Sequence, residues 1–130
     1  MRKNWIFCLI LLLLILTVPR VSLSKDTVKL YLFYSEETRG LKVNDEIIKP
    51  LLKKYPFEIQ SFSVNQLKNY DLLLKFEKEW KAPDNELPAV IIGDKILGGE
   101  AEIRKELEGL VRFHAERGGS PWPSLKGTLA

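Results

Sequence analysis

The sequence predicts an α/β fold: a four-stranded mixed sheet with helices on both faces. Two observations support this class. From residue 27 onward, short β-branched and aromatic runs alternate with longer segments whose apolar residues recur at helical spacing, which is typical of strands linked by helices. The last two apolar runs are separated only by a glycine and an aspartate, which predicts a hairpin and adds antiparallel strands to the sheet.

The predicted strands are short and apolar. The first, Val28–Tyr34, is almost continuously apolar, which suits a central strand buried on both faces. The second covers 57–64, and its alternation of apolar and polar residues slips near Ser61. The third and fourth, Ala89–Ile92 and 95–97, form the hairpin. The predicted order of elements is therefore strand, helix, strand, helix, hairpin, helix.

Each of the three predicted helices has one apolar stripe. The first covers 41–55, and Pro50 is expected to kink it, because proline has no N–H to donate within a helix. The second helix covers 67–80, with Asn65 predicted as its N-cap. The third covers 103–114 and is expected to end at the glycine pair that follows.

The first 24 residues have the three parts of a secretory signal peptide. A short positive region, 1–4, precedes an apolar run of 14 residues, 5–18, and small residues occupy the −3 and −1 positions of a cut after Ser24. A helix of that length spans about 21 Å, which is less than the roughly 30 Å of a bilayer core. Cleavage is therefore favoured over an uncleaved N-terminal anchor.

This interpretation sets the domain organisation and the compartment. Residues 25–117 are expected to form one domain, and 118–130 a flexible C-terminal tail. The protein is expected to lie outside the cytoplasm, whether secreted, periplasmic or at the cell surface; the alternative is a protein held to the membrane through 5–18. Pro121-Trp122-Pro123 is either a docking element or part of a disordered end.

Charge and cysteine content exclude several functions. The chain has 20 basic and 17 acidic residues, but three of the basic ones precede residue 25, so 17 of each remain from Lys25 onward. This balance gives no electrostatic footprint for nucleic acid. The single cysteine, Cys8, lies in the apolar run, so no intramolecular disulfide and no multi-cysteine zinc site can form. With one histidine as well, neither a metal nor a cofactor is expected.

Two short motifs make the pattern more specific. Leu87-Pro88 stands directly before the hairpin and Gly98-Gly99 directly after it. With this order of elements, the chain resembles the thioredoxin superfamily over about residues 27–117, and is most similar to short exported glutaredoxin-like or thioredoxin-like domains. The resemblance implies a thioredoxin-like β-α-β-α-β-β-α fold, in which a cis-proline at Pro88 faces the start of the first helix.

The resemblance also shows what this chain lacks. In the family a Cys-x-x-Cys motif opens the first helix, and here Thr38-Arg39-Gly40-Leu41 stands in its place. Thiol–disulfide exchange requires a thiolate, and neither a threonine hydroxyl nor a leucine can form a mixed disulfide. No catalytic residue is therefore predicted, and Thr38 and Leu41 mark a degenerate motif. The alternatives are an oxidoreductase-related protein that acts with an external partner and a structural domain of a membrane complex.

Peptide binding is the function that the resemblance still implies without the two cysteines. In the family a groove between the motif loop and the cis-proline loop holds an extended peptide through backbone hydrogen bonds. The resemblance implies that an extended peptide or a protein, as yet unidentified, is the partner, and that this chain is a non-catalytic binding module. The predicted groove is bounded by Tyr34, Ser35, Thr38, Arg39, Leu41, Leu87, Pro88 and Gly98.

Other candidate residues have simpler interpretations. His114 lies on the apolar stripe of the last helix and is predicted to be a helix-edge histidine rather than a catalytic base. Glu36-Glu37 is expected to be a solvated pair of carboxylates. Arg39 and Lys42 could hold an anion at the start of the first helix, but two solvated cations are favoured.

Overall fold

The computed structural model describes residues 27–37, 40–82 and 86–126. The predicted signal peptide or anchor, 1–24, lies outside the described residues, as does the end of the predicted tail, 127–130. Within the described part of the chain, no helix has both the length and the apolarity needed to cross a membrane.

A four-stranded mixed sheet forms the centre of the domain. Strand β1 (Val28–Tyr34) pairs in parallel with β2 (Phe57–Ser63) over its whole length and pairs antiparallel with β3 (Ala89–Ile92). Strand β4 (Lys95–Gly98) completes the hairpin with β3, so the order across the sheet is β2-β1-β3-β4. The predicted α/β class with a four-stranded mixed sheet is confirmed.

The first helix, α1, changes its geometry along its length. It consists of an α-helical part, Gly40–Val43, a π-helical part, Asn44–Ile48, and a second α-helical part, Lys49–Lys54. Pro50 lies at the start of the last part. Because proline has no N–H for the carbonyl four residues earlier and its ring crowds that carbonyl, the wider turn immediately before it relieves the conflict. The predicted kink thus takes the form of a π-helical segment.

The other two helices begin and end at different signals. Helix α2 (Leu67–Glu79) follows Gln66, which occupies the N-cap position without a side-chain hydrogen bond, so the predicted N-cap at Asn65 is wrong. Helix α3 (Glu100–Glu116) is followed, after its C-cap Arg117, by Gly118 and Gly119, which both have positive φ. The N–H of Gly119 donates to the carbonyl of residue 114 at 2.8 Å, as in a glycine-terminated helix.

The two faces of the sheet carry separate cores. The larger core joins one face of the sheet to α1 and α3, and its buried residues are Val28, Leu30, Leu32, Val43, Ile48, Leu51, Phe57, Val90, Ile92, Leu97, Ile103, Leu107 and Val111. The smaller core joins the other face to α2, and its buried residues are Phe33, Leu73, Phe76, Ala89 and Ile91. Helices therefore cover both faces, which explains why β1 and β3 are almost continuously apolar.

The segment after α3 packs against the sheet. Ser120 is 4% exposed and bridges to Val28, at the part of β1 that β3 does not reach. Trp122 stacks on Tyr31 with ring centroids 5.4 Å apart and an angle of 13° between the planes. Leu125 packs against the smaller core. A flexible tail is predicted from residue 118; the structure gives this segment defined contacts as far as Leu125.

Candidate functional site

All four strands begin or end at one edge of the sheet, where the last residue of β2, Ser63, pairs with the last residue of β1, Tyr34. The register places Phe33 of β1 beside Ala89 of β3, and Ala89 beside Gly98 of β4. Because β3 runs antiparallel to both neighbours, the end of β1, the start of β3 and the end of β4 share this edge. The residues that flank the paired positions, Tyr34 and Pro88, therefore lie next to each other.

This edge brings together five of the eight predicted groove residues: Tyr34, Ser35, Leu87, Pro88 and Gly98. Thr38 and Arg39 lie outside the described residues. The backbone of residue 41 belongs to α1, but its side chain is likewise outside what the structure describes. The structure therefore describes the residues that the sheet would contribute to the predicted groove, and it does not describe those that the motif loop would contribute.

Leu87 and Pro88 connect the loop before the hairpin to β3. Their peptide bond is cis. Pro88 is buried, and the side chain of Leu87 is half-buried against the smaller core. The N–H of Gly99 donates to the carbonyl of Glu86 at 3.0 Å and to that of Pro88 at 2.9 Å. Both carbonyls that flank Leu87 are thus held by one donor from the end of β4.

Within the part of the chain that the structure describes, neither the backbone N–H nor the backbone C=O of Leu87 has a hydrogen-bond partner. Since backbone polar groups that are not exposed to water are normally paired, an unpaired donor and acceptor beside a half-buried side chain suit a strand that arrives from outside.

A polar network holds the loop after β1 and was not predicted from the sequence. The Oγ of Ser63, at the end of β2, donates to the Glu36 carboxylate at 3.2 Å. The N–H of Glu36 donates to Oδ1 of Asn65 at 3.0 Å. The Nδ2 of Asn69 donates to the carbonyl of Ser63 at 3.0 Å. Glu36 is exposed, in agreement with the predicted solvated carboxylate, and its hydrogen bonds also tie the loop after β1 to the end of β2 and to the residues before α2.

The glycines at the end of β4 have separate roles. The N–H of Gly98 donates to the carboxylate of Glu102 at 3.1 Å, which ties the strand end to the first turn of α3. Gly99 has φ +85°, and a β-carbon there would lie 2.7 Å from Oε2 of Glu86. A side chain at 99 would therefore disturb the loop that carries Leu87.

Lys42, near the start of α1, pairs with α3. The Nζ of Lys42, a candidate anion ligand with Arg39, lies 3.9 Å from the Glu100 carboxylate. Arg104 donates to Glu100 at 2.7 Å and also to Glu46, and these hydrogen bonds raise the pKa of its guanidinium further above its already high ordinary value. Such exposed pairs contribute little stability, but they align α1 with α3. Lys42 thus faces a carboxylate of this chain.

Two further observations concern chemistry. The described residues contain no group of histidine, cysteine, aspartate or glutamate side chains that could hold a metal ion. His114 lies in the last turn of α3 and packs against Gly93 rather than at the groove.

Burial raises the pKa of Tyr31, which lies on the face of the smaller core.

Comparisons with known proteins give no match: no protein-family model, no curated protein and no solved structure is significantly similar to this chain. The site can therefore be interpreted only from its own residues.

Proposed function

We propose that this chain is an exported thioredoxin-like domain without redox cysteines that binds an extended peptide or protein segment at the edge where β1 ends and β3 begins. The proposal rests on one observation: the backbone N–H and C=O of Leu87 have no hydrogen-bond partner among the described residues. A peptide in extended conformation presents a donor and an acceptor at alternate residues and could pair with both groups.

The topology of the sheet supports this proposal. The strand order β2-β1-β3-β4, with α1 and α3 on one face and α2 on the other, is compatible with the thioredoxin-like arrangement that the sequence resembles. In that arrangement the first helix and the loop before the hairpin flank the same groove. The network from Ser63 to Glu36 supports it further, because it anchors the loop that leads to Thr38 close to the same sheet edge.

The residues of the chain supply no thiol for covalent capture of a substrate. Its one cysteine, Cys8, lies in the proposed leader, and Thr38 and Leu41 stand at the motif positions. Binding at the groove would therefore be reversible and would rely on backbone hydrogen bonds and on the apolar side chain of Leu87. A few such contacts offset the cost of ordering a peptide only partly, so we expect weak affinity, on the order of micromolar or weaker.

A test uses an array of short unstructured peptides, followed by NMR titration of the ¹⁵N-labelled protein with the strongest binder. We expect the amide resonances of Leu87 and Ser35 to shift together and to saturate. Absence of any binder, or binding that leaves the Leu87 resonance unmoved, would contradict the proposal.

N-methylation of the peptide provides the matched control. Methylation of the one amide that donates to the Leu87 carbonyl should abolish binding, whereas methylation of the next amide, which points away, should be tolerated. An effect that is equal at all positions would show that the peptide does not bind as an added strand. A parallel assay of dithiol oxidation with the same protein should give the rate of buffer alone; faster turnover would favour the oxidoreductase alternative.

A further inference from the structure

We propose a second binding site, at the end of the sheet opposite the groove, that takes an organic cation: a guanidinium or a substituted ammonium group. The site is a pocket of about 470 Å³ between the end of α2, the turn of the β3–β4 hairpin and the segment after α3. This volume falls within the range of roughly 300–1,000 Å³ that is usual for pockets that hold small ligands.

Two tryptophans form the aromatic part of the pocket. Trp122 stacks on Tyr31 with one face of its indole, and the same residue lines the pocket. Trp80, at the end of α2, packs on Phe76 with ring planes 78° apart and also lines the pocket. Both indoles are half-buried, so the packing holds them in place while part of each ring stays accessible. Tryptophan has the strongest attraction of any side chain for a cation over its ring.

The polar lining of the pocket favours positive charge. The carboxylate of Asp94, in the hairpin turn, lines the pocket and forms no ion pair with another described residue. Pro121 and Pro123 line it as well, and prolines offer carbonyl oxygens but no N–H donors. Ser124 lines the pocket too, and its hydroxyl can donate or accept a hydrogen bond. The case for a cation therefore depends on the two indoles and on the Asp94 carboxylate. The positive charge in the lining belongs to Lys126, which is exposed.

The site is separate from the proposed groove. The hairpin turn at Gly93-Asp94 lies at the end of β3, whereas Pro88 lies before its start, so the length of the strand separates them. The segment after α3 supplies Trp122 and both prolines to the pocket. Loss of peptide binding at the groove would leave this proposal unaffected.

The test is ¹⁹F NMR of the full chain labelled with 5-fluorotryptophan, which has three tryptophans. The probes are N-acetylarginine amide and choline, with N-acetylcitrulline amide as the uncharged analogue of the first. We expect the resonances of Trp80 and Trp122 to shift saturably at millimolar concentrations of a cationic probe, measured against trifluoroacetate in a coaxial insert as the reference. Binding of choline alone would identify an ammonium ligand, and binding of the arginine derivative alone a guanidinium ligand; either result supports the site.

Two surface variants test the charge preference. Asp94→Asn should weaken binding of the cation several-fold, and Lys126→Gln should strengthen it. Both side chains are exposed, so neither change should unfold the protein. The proposal is overturned if no cationic probe shifts Trp80 and Trp122, if the citrulline derivative binds as well as the arginine derivative, or if the two variants have effects of the opposite sign.

Discussion

The imidazole of His114 lies directly against the backbone of Gly93. A β-carbon at residue 93 would come within 2.6 Å of Nε2 and 2.9 Å of Cε1 of His114. A side chain at residue 93 would therefore force the His114 ring to shift where the end of α3 packs on the hairpin turn. Gly93 also has φ +59°, a conformation that residues with a side chain rarely adopt. The chain's one histidine thus has a packing role at this contact.

The variant Gly93→Ala is expected to lower the free energy of unfolding by about 1–2 kcal/mol from the left-handed backbone alone, with the crowding of His114 added to it. Urea denaturation followed by circular dichroism measures this difference. Gly109→Ala is the matched control: Gly109 lies within α3 with nothing within 4 Å of an added β-carbon. There the same change should raise the free energy of unfolding by about 0.5–1 kcal/mol.

A double variant separates the two contributions. If His114 crowds residue 93, Gly93→Ala combined with His114→Ala should lose less stability than the sum of the single changes. Strict additivity would mean that the imidazole moves aside freely, and it would contradict the close packing described here.

The strands could be predicted from the sequence because local patterns determine them. The continuous apolarity of Val28–Tyr34 predicts a central strand, and Gly93-Asp94 predicts a hairpin turn. The observed pairing of β1 with β3 then places Tyr34 beside Pro88. Asn65 was misassigned because a capping rule considers only neighbours along the chain. Its side chain accepts from Glu36, 29 residues away, and such a partner has no local signature.

The contacts of the segment after α3 are also between residues far apart in the sequence, so local patterns could not predict them. Its proline-rich stretch has no apolar periodicity, so the sequence predicted a loose end. The stacking of Trp122 on Tyr31 depends on where β1, α2 and the segment after α3 lie relative to one another. The sequence carries no local pattern for that arrangement. The pocket beside Trp80 could not be predicted for the same reason, although the tryptophans themselves were visible.

The same substitution, asparagine to aspartate, at two positions near the start of α2 tests the directions of the hydrogen bonds in the polar network. Asn69 uses its Nδ2 as a donor to the buried carbonyl of Ser63, whereas Asn65 uses its Oδ1 as an acceptor. Asn69→Asp removes the donor from a side chain that is 9% exposed and should lower the free energy of unfolding by about 1–3 kcal/mol. Asn65→Asp keeps the acceptor on an exposed residue and should change it much less. Equal losses in urea denaturation would show that the direction of these hydrogen bonds is misassigned.

Tyr31 should make the protein sensitive to alkaline pH. Burial raises the pKa of its phenol, so the folded chain keeps the proton to higher pH than the unfolded chain, whose tyrosines ionise near pH 10. The stabilisation is fully present below that pH and is lost as the pH rises through the higher pKa of the folded state. The free energy of unfolding should therefore fall between about pH 9 and 11 more steeply than in Tyr31→Phe. Trp122→Leu, which opens the cluster to water, should reduce the slope as well; an unchanged slope in Tyr31→Phe would contradict the assignment.

Restoring two cysteines tests the proposed relationship to the thioredoxin superfamily directly. In a Cys8→Ser background, the double variant Thr38→Cys with Leu41→Cys should form an intramolecular disulfide that dithiothreitol reduces. The proposed relationship implies that residue 38 lies at the start of the first helix and residue 41 in its first turn, where the two sulfur atoms can meet. The control pair, Lys68→Cys with Asp71→Cys, has the same spacing inside α2, where both side chains are exposed. Within a regular helix such β-carbons are about 5–6 Å apart, which is too far for an unstrained disulfide. Alkylation and mass spectrometry measure the oxidised fraction of each variant. If the Thr38–Leu41 pair oxidises no more readily than the control pair, the motif positions do not have the geometry of the family, and the groove proposed beside Leu87 loses its second wall.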